Sequence, residues 1–219
     1  FKEGNALFLL HGGIIAVPNI RGGGVHGSNW AIQGRRFNKQ NAIDDFIASA
    51  EYLISEKYTS PEKLAISGAS HGALIIGAAI TQRPELFKLA IANAGPYDML
   101  RMSKYTVGGV NTNLLEFGSP NSKTDYHNLR SYSPFHNVRK GTKYPNTLLI
   151  TGANDDRVPP FHTYKFLASL QENGDPSSLY SMYVSNGSGH GGALTIEDYI
   201  DLELYKYYFL FNQLNIDFY

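Results

Sequence analysis

The chain has 219 residues, 42% of them hydrophobic, which is enough for one sizeable core and short for two. Its 19 basic and 19 acidic side chains balance and are interspersed, so neither nucleic acid nor an anionic membrane surface is indicated as a partner. The absence of cysteine excludes disulfides, thiolate metal sites and cysteine nucleophiles, and the apolar runs are too short for a membrane span.

The first part of the chain predicts a helix, a strand and a longer helix. Leu7 to Leu10, followed by His11-Gly12-Gly13, is typical of a helix end with a glycine cap. The uncharged run from Ile14 to Ile20 predicts a short buried strand, which ends in a glycine-rich turn. Apolar residues at helical spacing then predict a helix from Asn41 to Lys57.

Strands and helices alternate through the rest of the chain. Residues from about 97 to 144 are rich in Tyr, Asn and Ser, which predicts short helices and loops that cap a sheet. The alternation implies right-handed crossovers and a parallel sheet with helices on both faces. The sequence therefore predicts one α/β domain over residues 1–219, with strands at 63–67, 87–94, 147–151 and 179–184 and helices at 73–80, 161–170 and 195–214.

A Gly-x-Ser-x-Gly pattern, from Gly68 to Gly72, lies between a predicted strand and a predicted helix. Both glycines lack Cβ atoms, so a sharp turn between strand and helix can push the hydroxyl of Ser70 outward. The helix N-terminus after Ser70 supplies unpaired N–H groups where an oxyanion would form. The pattern predicts a nucleophile elbow; the competing interpretation is an ordinary turn in a chain with 22 glycines.

Two more polar loops follow the last two predicted strands. Asp155 and Asp156 follow the first of these strands, and His190 follows the second, between glycines. Reactive groups collect beyond the carboxyl ends of parallel strands, and the chain order Ser, Asp, His is that of the α/β-hydrolases. Ser70 would attack a carbonyl, His190 would accept its proton, and an aspartate would fix the imidazole tautomer. At this point the two aspartates could instead cap the following helix.

A series of distinctive blocks runs in order through essentially the whole chain: Asn19-Ile20-Arg21-Gly22-Gly23-Gly24, Asn38-Lys39-Gln40-Asn41 with Asp44-Asp45-Phe46, Glu51-Tyr52-Leu53-Ile54, Tyr58-Thr59-Ser60-Pro61, Gln82-Arg83-Pro84-Glu85-Leu86-Phe87, Tyr132-Ser133-Pro134 with His136-Asn137-Val138, and Asp155-Asp156-Arg157-Val158. These blocks resemble the catalytic domain of the prolyl oligopeptidase family of serine peptidases. The resemblance implies an α/β-hydrolase fold with a mostly parallel, doubly wound sheet.

The resemblance also implies a role for each of five residues. Ser70 corresponds to the nucleophile, Asp155 (the first aspartate of the pair) to the triad acid, and His190 to the base. The backbone N–H of His71 would bind the oxyanion. Arg157 would donate a hydrogen bond to a peptide carbonyl of the substrate, unless it is a surface arginine that pairs with neighbouring acids. The family needs no cofactor, and we expect none, nor a metal.

The chain departs from the family pattern in three respects. Family enzymes place a β-propeller and an N-terminal segment before this domain, and an upstream tyrosine completes their oxyanion hole. Neither the propeller nor the tyrosine loop is found in this sequence, so we expect the first strands of the fold to be missing from it. His71 stands where the family has asparagine. In the family, a tryptophan stacks on the substrate proline. The corresponding segment of this chain is Gly109-Val110-Asn111-Thr112, which has no tryptophan, and the one tryptophan of the chain, Trp30, lies in a different segment.

These observations predict a serine-type peptidase that hydrolyses oligopeptides through an acyl-enzyme, with a preference for proline left open. The alternatives are an esterase-like serine hydrolase without proline preference and a truncated, catalytically silent domain with an interaction role. Expected partners are a short peptide and either self-association or an N-terminal part of a parent polypeptide, because Ile14, Ile15 and Val17 would lie near an unpaired sheet edge. A glycan on the sequon Asn186-Gly187-Ser188 would crowd His190, which favours a cytosolic location.

Overall fold

Four parallel strands form the sheet in the computed structural model, which describes residues 3–104, 106, 110–190 and 195–217. The strands lie side by side in chain order, and all three neighbouring pairs are parallel. Their carboxyl ends therefore meet at one edge of the sheet, as the sequence predicts. The strands are Ala65–Ala69 (β1), Leu89–Asn93 (β2), Asn146–Gly152 (β3) and Tyr180–Ser185 (β4).

Eight α-helices, counted over the described residues, connect and cover these strands. Apart from one strand, the predicted elements are confirmed, with ends that differ by up to three residues. None of the helices described is long and apolar enough to cross a membrane. The helices are Glu3–Leu10 (α1), Ser28–Ile32 (α2), Lys39–Ser55 (α3), His71–Gln82 (α4), Val110–Phe117 (α5), Lys123–Tyr132 (α6), Phe161–Asn173 (α7) and Ile196–Leu214 (α8), with short 3₁₀ turns at Arg36–Asn38, Pro84–Leu86, Met99–Arg101 and Pro134–Asn137.

Helices cover both faces of the sheet because alternate strand residues point to opposite sides. One layer buries small strand residues, such as Ala90 and Ala92, against α3, α4 and α7. The other layer buries larger strand residues against Leu202 and Phe209 of α8. Those larger residues are Leu89, Ile91, Leu148 and Ile150. The open, parallel sheet with two helical layers confirms the predicted α/β-hydrolase architecture.

The predicted strand from Ile14 to Ile20 is wrong. Residues 13–20 are irregular, and Ile14 and Val17 are 64% and 80% exposed. A strand needs a neighbour to pair its backbone N–H and C=O groups, and within the described residues β1 pairs only with β2. High β-propensity alone therefore does not make this segment a strand.

The glycine cap predicted after Leu10 is confirmed. Gly12 has φ +79°, and its N–H donates to the carbonyl of Leu9 at 3.0 Å. The N–H of Gly13 donates to the carbonyl of Phe8, also at 3.0 Å. This left-handed turn satisfies the last carbonyls of α1 and ends the helix before the irregular segment begins.

An ion pair fixes the end of the irregular segment to α3. The guanidinium of Arg21 donates to both carboxylate oxygens of Asp45, at 2.8 Å from Nε and 2.5 Å from Nη2, and the backbone N–H of Arg21 donates to Asp45 at 2.9 Å. Hydrogen bonding from Arg21 lowers the pKa of Asp45. The ion pair therefore fixes the position of the turn after Ile20, a position that the predicted strand would otherwise have fixed by pairing with the sheet.

We expect Asp45→Asn to lower the free energy of unfolding by about 1–2 kcal/mol at neutral pH, because it removes a bidentate charge-assisted contact. Since the folded-state pKa of Asp45 is depressed, its contribution is present above the unfolded value of 3.8 and is lost as pH falls through the lower folded value. Urea unfolding of both proteins at neutral pH and at about pH 3 measures this. A difference that does not shrink in acid would contradict the assignment.

Candidate active site

Ser70 occupies a strained turn between β1 and α4. Its φ of +53° lies in the left-handed region, which costs a non-glycine residue about 1–3 kcal/mol. Two hydrogen bonds hold the turn: the N–H of Ser70 donates to the carbonyl of Asn93 at 2.7 Å, and its carbonyl accepts from the N–H of Leu74 at 3.2 Å. The first of these bonds fastens the nucleophile turn to the end of β2.

Of the two glycines in the pattern, only Gly68 is required by the packing. A Cβ at Gly68 would lie 2.7 Å from the carbonyl carbon of Gly72 and 2.9 Å from Cγ1 of Ile76. A Cβ at Gly72 would meet nothing within 4 Å. Strand and helix therefore touch backbone to backbone at residue 68, which lets α4 begin directly after Ser70.

The three polar loops bring Ser70, His190 and Asp155 into one hydrogen-bonded line. Nε2 of His190 lies 2.9 Å from Oγ of Ser70, and Nδ1 of His190 lies 2.8 Å from Oδ2 of Asp155. A carboxylate can only accept a hydrogen bond, so Nδ1 carries the proton and Nε2 presents its lone pair to the hydroxyl of Ser70. The arrangement can therefore activate a serine nucleophile, as the order of the loops predicts.

The carboxylate of Asp155 is fully buried, and both of its oxygens are hydrogen-bonded. Oδ1 accepts from the backbone N–H groups of Arg157 and Val158, at 3.0 and 2.8 Å, which leaves Oδ2 for the imidazole of His190. The N-cap of α7 is Pro160, so Asp155 does not cap that helix. Asp156 is exposed. The choice of the first aspartate as the triad acid is therefore supported by geometry.

The loop that carries His190 is fastened to the loop that carries Asp155. The N–H groups of Ala153 and Asn154 donate to the carbonyls of Ser185 and Ser188, at 3.0 and 2.9 Å. The hydroxyls of Ser185 and Ser188 are buried and lie 2.5 Å apart. A Cβ at Gly152 would lie 2.4 Å from the carbonyl oxygen of Ser188, so glycine is needed at this contact. Together these contacts fix the imidazole relative to the carboxylate.

The first turn of α4 leaves backbone N–H groups without a capping side chain next to Ser70. No side chain caps this helix, and His71 is its first residue, so the backbone N–H of His71 lies directly after the nucleophile. The side chain of Arg157 is exposed beside the Asp155 loop, and its role in substrate binding stays a prediction. In the segment that corresponds to the family tryptophan, Gly109 lies outside the described residues, whereas Asn111 and Thr112 lie in the first turn of α5.

Sequence reasoning missed a buried ionic cluster behind the nucleophile turn. Lys39 is fully buried, and its ammonium lies 2.6 Å from Glu116 and 2.9 Å from the ring of His71. Glu116 also accepts from Arg35 at 2.9 Å. The block around Lys39 contributes to the family resemblance, but a lysine at a helix start carries no sequence signal of burial. The described residues hold no group of three or more His, Asp or Glu side chains that could bind a metal ion.

With this geometry established, comparison with known proteins identifies the lineage of the chain. A profile described as the prolyl oligopeptidase family matches residues 1–217. The chain belongs to this family. It is 42% identical over 201 residues to the prolyl endopeptidase of Elizabethkingia meningoseptica, covering 91% of this chain and 28% of that enzyme. It is 40% identical over 214 residues to the prolyl endopeptidase of Dictyostelium discoideum, covering 95% of this chain and 28% of that enzyme.

Solved structures of prolyl oligopeptidase family members share the fold. A structure from a study of two prolyl endopeptidases superposes with a TM-score of 0.94 at 39% identity, over 99% of this chain and 32% of that one. Oligopeptidase B from Leishmania major superposes with a TM-score of 0.93 at 31% identity, over 98% of this chain and 30% of that one. The chain thus spans less than a third of the length of these relatives, and the similarity lies in the α/β-hydrolase domain.

The two aspartates of the Asp155 loop allow a matched test of the triad acid. We expect Asp155→Asn to lower kcat by about 10⁴-fold, because a carboxamide can donate to Nδ1 of His190 and so favours the wrong imidazole tautomer. Asp156→Asn, a change of the same kind one residue away, is expected to stay within about threefold of the unaltered protein. Steady-state kinetics of both variants decide the matter, and the reverse ranking would show that the wrong aspartate was assigned.

Proposed function

We propose that this chain is the catalytic part of a serine-type peptidase that cleaves peptide bonds of oligopeptides. The observation that carries the proposal is the line from Ser70 through His190 to Asp155, with contacts of 2.9 and 2.8 Å, on a strained turn at a helix N-terminus. Membership of the prolyl oligopeptidase family supports the same reaction.

The geometry supplies each step of acyl transfer. Nε2 of His190 accepts the proton of Ser70 as Oγ attacks the carbonyl carbon, and the amides at the start of α4 stabilise the negative oxygen. The imidazolium, stabilised by Asp155, then returns the proton to the leaving amine. Water attacks the acyl-enzyme in the second half-reaction, with His190 as the base again, and Ser70 is regenerated.

Oligopeptides are the proposed substrates because relatives bear names of peptidases that act on them. A prolyl oligopeptidase B from Galerina marginata, 34% identical with a TM-score of 0.90, was solved bound to a 35mer hydrolysis and macrocyclization substrate. Cleavage after proline is the finer proposal, since several relatives are named prolyl endopeptidases. A specific observation favours a second candidate, an esterase-like hydrolase without proline preference: no tryptophan lies within residues 109–112.

We expect a fluorophosphonate probe to label the purified protein at Ser70, and Ser70→Ala to abolish labelling and to lower turnover by about 10⁴–10⁶-fold. The loss follows because the triad acts as a unit and alanine has no nucleophilic oxygen. Circular dichroism of the alanine variant controls for folding. Full activity in Ser70→Ala would refute the triad, and a folded chain that the probe does not label would favour the catalytically silent domain.

Parallel assays then separate the two catalytic candidates. A Gly-Pro anilide and the corresponding Gly-Ala anilide test the preference for proline, and a short-chain ester tests esterase activity. Faster turnover of the Gly-Pro anilide supports cleavage after proline. Turnover of the ester alone would support the second candidate and exclude the first. The same unaltered protein serves for all three substrates, so differences in folding do not enter.

Self-association and location remain separate proposals. Ile14, Ile15 and Val17 are exposed, which supports association with a second copy or with another part of a longer polypeptide. For location, we propose the cytosol on the argument from the sequon alone. Asn186 is exposed and close in sequence to His190, so a glycan there would lie at the active-site loop.

A further inference from the structure

The side chain of His71 contacts a fully buried lysine, Lys39. Nζ of Lys39, the first residue of α3, lies 2.9 Å from Nε2 of His71, and the ring edge packs against Phe117 with centroids 5.1 Å apart. Lys39 itself is 0% exposed, whereas the side chain of His71 is 42% exposed. The ring of His71, the residue that follows Ser70, therefore contacts a buried ammonium on one side and is exposed to solvent on the other.

The ammonium of Lys39 sets which nitrogen of this ring carries the proton, and its charge adds to the effect of desolvation on the pKa of His71. An ammonium only donates, so Nε2 of His71 must accept and the single ring proton lies on Nδ1. Desolvation by the surrounding protein, and then the charge of Lys39, lower the pKa of His71. The imidazole of His71 is therefore uncharged near neutral pH.

Glu116 keeps the buried ammonium charged and in place. Its Oε1 accepts from Lys39 at 2.6 Å, while its Oε2 lies 2.9 Å from Nε of Arg35. Burial lowers the pKa of Lys39, and the hydrogen bond to Glu116 opposes that effect. On α6, burial and then the charge of Glu116 raise the pKa of Tyr132. The charged groups around the ring thus come from α3, α5 and the loop before α3.

We propose that Lys39, anchored by Glu116, is a positioning residue for the oxyanion-binding turn: it fixes the ring of His71, and so sets the place of the backbone N–H that follows Ser70. The inference rests on the proposed peptidase function, because it assigns the oxyanion role to that N–H. It also links α5, which begins in the segment that corresponds to the family tryptophan, to the nucleophile turn.

Lys39→Met tests the inference without leaving a buried charge unpaired. Methionine keeps the length of the stem, and Glu116 keeps Arg35 as a partner. In the unaltered protein a carboxylate oxygen of Glu116 lies 3.9 Å from Nε2 of His71, so without the ammonium this carboxylate favours the charged imidazole. We expect the pKa of His71 to be higher in this variant than in the unaltered protein, because one of the two effects that lower it is removed and desolvation alone remains.

Two measurements read the outcome independently. NMR pH titration of the histidine ring signals follows His71, whose signal is assigned by its absence from His71→Asn. Steady-state kinetics measure the effect on catalysis. In Lys39→Met we expect kcat to fall about tenfold with little change in KM, and this loss of kcat to grow as pH falls and His71 becomes charged. An unchanged His71 titration, or an unchanged kcat in a folded Lys39→Met protein, would overturn the inference.

Two further variants control the test. Lys206 forms an ion pair of the same length with Glu203, 2.6 Å within α8, and Lys206→Met is expected to change neither the His71 titration nor kcat. In the double variant Lys39→Met/His71→Asn, the extra loss of kcat at low pH should disappear; its persistence would contradict a role through His71. If the unaltered protein proves inactive, the proposed function fails, yet the NMR titration still decides whether Lys39 controls His71.

Discussion

The active site depends on one close contact, the backbone of β1 against the backbone of α4 at Gly68. With glycine there, α4 starts immediately after the strand, and Ser70 takes a left-handed φ of +53°. The helix then presents its unpaired amides beside the nucleophile, with no side chain capping them. A single turn thus places the hydroxyl of Ser70 beside unpaired backbone amides, where the proposed mechanism needs them, at a cost in backbone strain that the packing of α4 offsets.

The parallel sheet converts this local turn into a complete site. Because all four strands run the same way, the loops after β1, β3 and β4 meet at one edge. Backbone hydrogen bonds then hold these loops: Ser70 donates to Asn93 at the end of β2, and the loop after β3 is fastened to the one after β4 by Ala153 to Ser185 and Asn154 to Ser188. A buried carboxylate is costly unless its oxygens are paired, and three hydrogen bonds satisfy Asp155. The triad is therefore positioned largely by main-chain contacts.

The sequence could predict what depends on local pattern. Strand and helix periodicity places Ser70, Asp155 and His190 after three separate strands, and parallel topology then brings them together. It could not predict what depends on distant neighbours. The run from Ile14 to Ile20 has strand-like composition but finds no pairing partner in the described structure, and Lys39 is buried only because Glu116 and His71, far along the chain, supply its partners. Polar clusters of this kind leave no periodic signal.

The central claim is that close strand–helix contact at residue 68 creates the nucleophile. The most direct test compares Gly68→Ala with Gly72→Ala, two identical changes in one motif. We expect Gly68→Ala to slow fluorophosphonate labelling of Ser70 by at least about 100-fold, because its Cβ would meet the backbone of Gly72 at 2.7 Å and displace the turn. Gly72→Ala meets nothing within 4 Å and should label within about threefold of the unaltered rate. Equal, rapid labelling of both variants would contradict the account.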